Sequence, residues 1–96
     1  VDLPGYRLMP SFPNPFRAAT EIRFELPRGE VVDLRVFDVR GRLVRTLLGG
    51  EFRAVGVHSV GWDGRGNSDA AVAPGVYFYR LTTPTYAETK RVVRGQ

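Results

Sequence analysis

The segment TEIRFELPRGEVVDLRVF, residues 20–37, decides the fold class. Ile22, Phe24 and Leu26 alternate with Arg23 and Glu25 until Pro27-Arg28-Gly29 interrupts the run. Val32, Leu34 and Val36 then resume the alternation, with Asp33, Arg35 and Phe37 between and beyond them. A period of two sends successive side chains to opposite faces, so each run predicts a strand with one apolar face.

The same signature extends along the chain. Asp38-Val39-Arg40-Gly41 predicts a turn with positive φ at Gly41, and Leu43 to Leu48 returns as the hairpin partner, ended by Gly49-Gly50. After a loop closing at Gly56, Val60 and Trp62 mark a short strand that Asp63-Gly64 stops, with Trp62 filling the core. Val76 to Thr82 is the most β-prone stretch, Thr83-Pro84-Thr85 turns it, and Tyr86 to Val93 forms the last strand. With an extended piece around Tyr6 to Met9, about seven strands predict an all-β, immunoglobulin-like antiparallel sandwich. No window keeps helical spacing, and seven prolines and eleven glycines punctuate the chain. No repeat or linker divides it, so residues 1–96 read as a single domain.

Composition narrows the chemistry. There is no cysteine, which excludes disulfides, thiolate metal sites and a cysteine nucleophile. The net charge is +4, and every basic residue except Lys90 is arginine. Those arginines are scattered singly from Arg7 to Arg94, the pattern of solvated strand faces rather than a nucleic-acid patch. No apolar run approaches the roughly 18 residues of a spanning helix. Val1 to Pro10 lacks signal-peptide character, so the chain reads as part of a longer precursor whose export signal lies elsewhere.

Catalytic and metal signals are weak. His58 and Ser59 are neighbours on an alternating strand and point to opposite faces, so they do not form a nucleophile–base pair. No carboxylate pair or phosphate-binding glycine motif is present. The oxygen-rich stretch Asp63 to Asp69 contains Arg65 and misses the calcium-loop spacing, so it reads as a surface turn rather than a weak calcium site. We therefore expect no catalytic residue, metal or cofactor.

Two features invite a binding reading. Phe37 follows the outward phase of Arg35, and Phe78 that of Arg80. If their strands are neighbours, the two rings form an aromatic patch flanked by guanidinium groups. This is either a cross-strand pair worth a few tenths to about 1 kcal/mol or a docking surface for a parent domain or receptor. Pro13-Asn14-Pro15 locks extended and turn geometry, which places Phe12 and Phe16 to plug the end of the sandwich.

Several motifs in series then carry a family resemblance. They are Leu3-Pro4-Gly5-Tyr6-Arg7-Leu8, Phe12-Pro13-Asn14-Pro15-Phe16, Thr20 to Phe24, and Val36-Phe37-Asp38-Val39-Arg40-Gly41-Arg42. Gly56 to Gly64, Pro74 to Leu81 and Lys90-Arg91-Val92-Val93 complete them. In order and spacing they resemble the type A C-terminal sorting domains of the type IX secretion system, and the related Ig-like domain of the flagellar hook-capping protein. The resemblance covers nearly the whole chain, and it departs from the pattern in the finish Arg94-Gly95-Gln96.

The resemblance implies a non-catalytic domain at the end of a secreted cargo, read by the outer-membrane translocon after periplasmic delivery. A sortase-like peptidase then removes it, and the cargo is released or attached to anionic lipopolysaccharide at the cell surface. It also places Lys90, Val92 and Val93 in the region the machinery reads. An exposed edge on that strand would suit recognition by strand addition; the other reading is that the strand only closes the sheet. Alternative functions are a structural Ig-like module packed on its parent enzyme, and a carbohydrate-binding module, for which aromatic residues would line a sheet face.

Overall fold

The computed structural model describes residues 5–96, so Leu3-Pro4 of the first motif lies outside the described residues. Among these there are seven strands: β1 (Arg7–Leu8), β2 (Thr20–Leu26), β3 (Glu30–Phe37), β4 (Leu43–Arg53), β5 (Gly56–Trp62), β6 (Gly75–Thr83) and β7 (Tyr86–Arg94). They form a three-stranded sheet in the order β1-β2-β5 and a four-stranded sheet in the order β4-β3-β6-β7. Every pairing is antiparallel, and the two sheets make an immunoglobulin-like sandwich.

The alternation in residues 20–37 is realised as the core. Ile22, Phe24, Leu26, Val32, Leu34 and Val36 are all buried, joined from the later strands by Trp62, Tyr79, Leu81 and Val92. Each such side chain contributes about 1.5–3 kcal/mol by leaving water. A one-residue slip of β2 would replace its three core residues with Glu21, Arg23 and Glu25, so burial itself sets the register. The large aromatics keep their polar tips satisfied, as Trp62 donates to the Arg65 carbonyl at 2.9 Å and Tyr79 to the Met9 carbonyl at 2.7 Å.

Two boundaries differ from the sequence reading. β4 does not end at Gly49-Gly50; it continues to Arg53 and pairs with β3 as far as Glu30. Three register shifts let its eleven residues oppose the eight of β3. Val44, Leu47 and Gly50 are the residues left without a partner, and Gly50 has φ +69°, the left-handed geometry such a bulge requires. The bulges return Val44 and Leu47 to the core margin although they break strict alternation. β5 likewise begins at Gly56 rather than Val60, because it pairs with β2 along its whole length. Gly41, with φ +81°, sits in its turn as expected, where the Asp38 carboxylate accepts from the amides of Arg40 and Arg42.

Phe12 and Phe16 separate. Phe16 is buried against Trp62, with ring centroids 5.3 Å apart, whereas Phe12 is 80 % exposed. The cause is backbone pairing: Phe12 exchanges both hydrogen bonds with Glu21, at 3.1 and 2.9 Å, and so shares the outward face of that residue.

Candidate interaction surface

The last strand lies at an edge. Thr83 and Tyr86 pair across the two-residue loop Pro84-Thr85, and β7 then runs back along β6 to Arg94. Among the described residues no other strand follows β7 in its sheet. Alternation sends the amides and carbonyls of Tyr86, Glu88, Lys90, Val92 and Arg94 toward β6, and those of Ala87, Thr89, Arg91 and Val93 outward.

The far end of that outward edge is occupied. The Val93 amide donates to Asn14 Oδ1 at 2.9 Å, and the Val93 carbonyl accepts from the Phe16 amide at 3.0 Å. The Gly95 amide donates to the Phe16 carbonyl at 2.7 Å, and Asn14 Nδ2 makes a long 3.5 Å contact to the Arg91 carbonyl. Asn14 to Phe16 thus clasp the end of β7. Among the described residues, Ala87 and Thr89 and the Arg91 amide keep the outward backbone groups that no protein partner takes. This open stretch is what a strand-addition partner requires.

The side chains of the strand divide by phase. Val92 is fully buried, so it supports the strand from the core and is closed to contact in the folded domain. Val93 is half-buried under the clasp. Lys90 lies on the Val92 side, where its ammonium sits 3.5 Å from the Glu88 carboxylate. Glu88 also accepts from the Tyr86 hydroxyl, and that bond is the main cause that holds its carboxyl below the usual range. Burial, then the same hydrogen bond, push the Tyr86 phenol up to about 12. The Tyr86 ring stacks on Tyr6 at 4.5 Å, so the segment before β1 seals this side of the sandwich.

Sequence reasoning passed over Asn14, Tyr86 and Glu88. The signal for the last two was present as the two-residue spacing Tyr86, Glu88, Lys90, which puts all three on one face of a strand. Asn14 carried no such signal, because its partner lies 79 residues away.

Phe37 and Phe78 are directly opposite each other on β3 and β6, as the outward phases require. They are half-buried rather than exposed. The reason is their row: Leu43, Phe37, Phe78 and Arg91 lie side by side across all four strands, and each shields the next. The exposed aromatic rings among the described residues are instead Phe12 and Phe52.

The other candidates are structural. His58 stacks on Phe24 at the sandwich rim, and its Nε2 lies 2.7 Å from the Ala54 carbonyl, while Ser59 faces away and is exposed. Asp63 accepts from the Arg65 amide at 3.1 Å and faces Arg45 at 3.7 Å. Asn67 Oδ1 accepts from the Thr46 amide at 3.0 Å, so the oxygen-rich stretch spends these groups on fastening its own turn and tying it to β4. Trp62, being fully buried, offers nothing to a sugar.

Comparison with known proteins agrees with the motif series. The family described as the FlgD Ig-like domain matches residues 14–86, a segment that stops where β7 begins. No curated protein sequence matches the chain. The crystal structure of dimeric latent PorU from Porphyromonas gingivalis is similar in fold, with a TM-score of 0.73 and 24 % identity over 96 % of this chain. The match occupies 9 % of the PorU chain, so this chain spans a small part of that protein. With its sandwich topology and its motifs in register over residues 14–86, the chain belongs to the FlgD Ig-like domain family.

Proposed function

We propose that this domain is a non-catalytic C-terminal sorting module that directs a preceding cargo through the type IX outer-membrane translocon to the cell surface. The observation that carries this reading is the last strand, which is a sheet edge clasped at its end and open from Ala87 to the Arg91 amide. Family membership and the fold likeness to PorU, a type IX secretion protein, support it. In this reading the translocon adds a strand to the open stretch, with backbone hydrogen bonds supplying affinity and Thr89, Arg91 and Lys90 supplying selectivity. The further partners are a sortase-like peptidase that removes the domain, and anionic lipopolysaccharide to which the cargo is joined. The route runs through the periplasm, and no nucleic acid or cofactor takes part.

Fusing residues 1–96 behind a periplasmic reporter in a type IX-competent host tests this directly. The reporter is expected at the cell surface or in the medium, and truncation before Tyr86 should return it to the periplasm. A fusion that stays periplasmic, while a control cargo is exported, sinks the sorting reading.

A second reading is a structural module packed on its parent. Val31 and Phe52, which are register partners, stay 48 % and 63 % exposed and form an apolar spot that a neighbouring domain would cover. Under this reading, deletion lowers the melting temperature of the parent and leaves its location unchanged.

A further inference from the structure

The outer face of the four-stranded sheet carries a second site, distinct from the edge of β7. We infer that it binds an acidic segment of a partner protein, with one carboxylate seated between Arg35 and Arg80. These residues are directly opposite on β3 and β6, a position in which like charges destabilise a sheet. Asp33 neutralises Arg35 alone, at 2.9 Å. Arg80 is exposed and makes no ion pair or side-chain hydrogen bond among the described residues.

Between them the face is hollow. A depression of about 220 Å³ is lined by Asp33, Arg35, Phe37, Arg80 and Thr82, smaller than a typical small-molecule pocket and ample for the carboxylate-bearing end of a side chain. Its walls supply what a carboxylate needs: two guanidinium donors that form charge-assisted bonds, and the Thr82 hydroxyl. Arg91 adds a third cation at the end of the neighbouring row, so three guanidiniums face one carboxylate on this surface.

The apolar neighbours choose the class of ligand. Leu43, Phe37 and Phe78 form a partly covered strip beside the hollow, and Leu43 is 48 % exposed. A strip of apolar side chains running alongside a cationic one matches an extended peptide that alternates acidic and apolar residues. A uniformly polar polyanion would leave the rings without a partner. The bound carboxylate also cancels the repulsion between Arg35 and Arg80, so the cost of placing them opposite each other is recovered on binding.

The test is a nuclear magnetic resonance titration of residues 1–96 with acetyl-Glu-Leu-Glu-Leu-Glu-amide and with its glutamine counterpart. Saturable shifts are expected at Arg35, Phe37, Phe78 and Arg80 with the glutamate peptide only. R80Q should weaken binding about threefold to fivefold, the effect of losing one partly exposed ion pair. D33N should strengthen it, because the competing internal carboxylate is removed; a purely structural role for Asp33 predicts no such gain. R23Q, on the opposite sheet, should bind as the parent does. Equal binding of the glutamine peptide, unchanged affinity in R80Q, or shifts centred away from this face would overturn the inference. Tighter saturable binding of heparin at the same residues would also overturn it, in favour of a glycan polyanion. Export of the reporter fusion is a separate readout, so failure here leaves the sorting reading intact.

Discussion

The side-chain oxygen of Asn14 accepts a 2.9 Å hydrogen bond from the amide of Val93, which joins the first loop of the chain to its last strand. The contact divides the outer edge of β7 into a protected end and an open middle. An unprotected edge of full length would be a template for association with any extended chain. The clasp limits that hazard to a short stretch, and the same stretch is the one proposed for recognition.

Replacing Asn14 should show this division. N14A leaves the Val93 amide to water and should destabilise the domain by about 1 kcal/mol. Hydrogen exchange should accelerate at Val93 while the amides that point toward β6 keep their protection. N14D retains the acceptor and should restore most of the effect. Unchanged exchange at Val93 in N14A would show that the clasp does not hold the strand.

A proline at Thr89 separates folding from recognition. The Thr89 amide points away from β6, so T89P costs no ladder hydrogen bond, and an edge strand tolerates it. The melting temperature should fall by only a few degrees, yet the outward backbone can no longer donate to an added strand. Export of the reporter fusion should be lost. Full export with T89P would show that the translocon does not use this edge.

The Tyr86–Glu88 pair makes two predictions of opposite sign about pH. Glu88 has a lowered carboxyl in the folded state, so its contribution is complete above its ordinary value of 4.5 and is lost as pH falls through the folded value. Tyr86 is raised from 10.0 to about 12, so its contribution is complete below pH 10 and disappears as pH rises through the folded value. Burial raises Tyr77 and Tyr79 as well, so the titration is read on the Tyr86 ring itself by nuclear magnetic resonance, where the midpoint is expected at about 12. E88Q should bring that midpoint down part of the way, since burial, the larger cause, remains. An unmoved midpoint would refute the pairing.

Gly50 is the bulge position of β4 with φ +69°, and an added Cβ meets nothing within 4 Å. The cost of G50A is therefore backbone strain alone, about 1–2 kcal/mol. Gly49, its neighbour, lacks positive φ, and a Cβ there meets only the Thr46 methyl at 3.2 Å. G49A should accordingly be the milder change in chemical denaturation. The reverse order would mean that β4 does not bulge at Gly50.

Some of the site was readable from spacing. The shared outward face of Phe37 and Phe78 followed from their phase against Arg35 and Arg80, because a strand admits only two faces; that they stand opposite each other required β3 and β6 to be neighbours. Lys90, Val92 and Val93 were singled out by the family resemblance. Neither phase nor resemblance revealed that Val92 is sealed in the core and Phe37 half-covered, since exposure depends on which strands lie alongside. The continuation of β4 past Gly49-Gly50 was hidden for a related reason. Paired glycines end strands when nothing holds them, and here β3 supplies the pairing that carries β4 to Arg53.

The edge strand on which the functional proposal rests shows the same division. Alternation and turn chemistry by themselves determined that Tyr86 to Val93 form a strand, that the chain turns into it at Thr83-Pro84-Thr85, and that the domain is an all-β sandwich. These are local properties, set by steric preference and by the period of burial within a few residues. Only the tertiary structure decided that β7 lies at an edge, that Asn14 closes its end, and that Arg35 faces Arg80 across two strands. Each of those relationships joins residues distant in sequence, and the partners are chosen by strand order within the sheet and by the path of the first loop rather than by any local pattern.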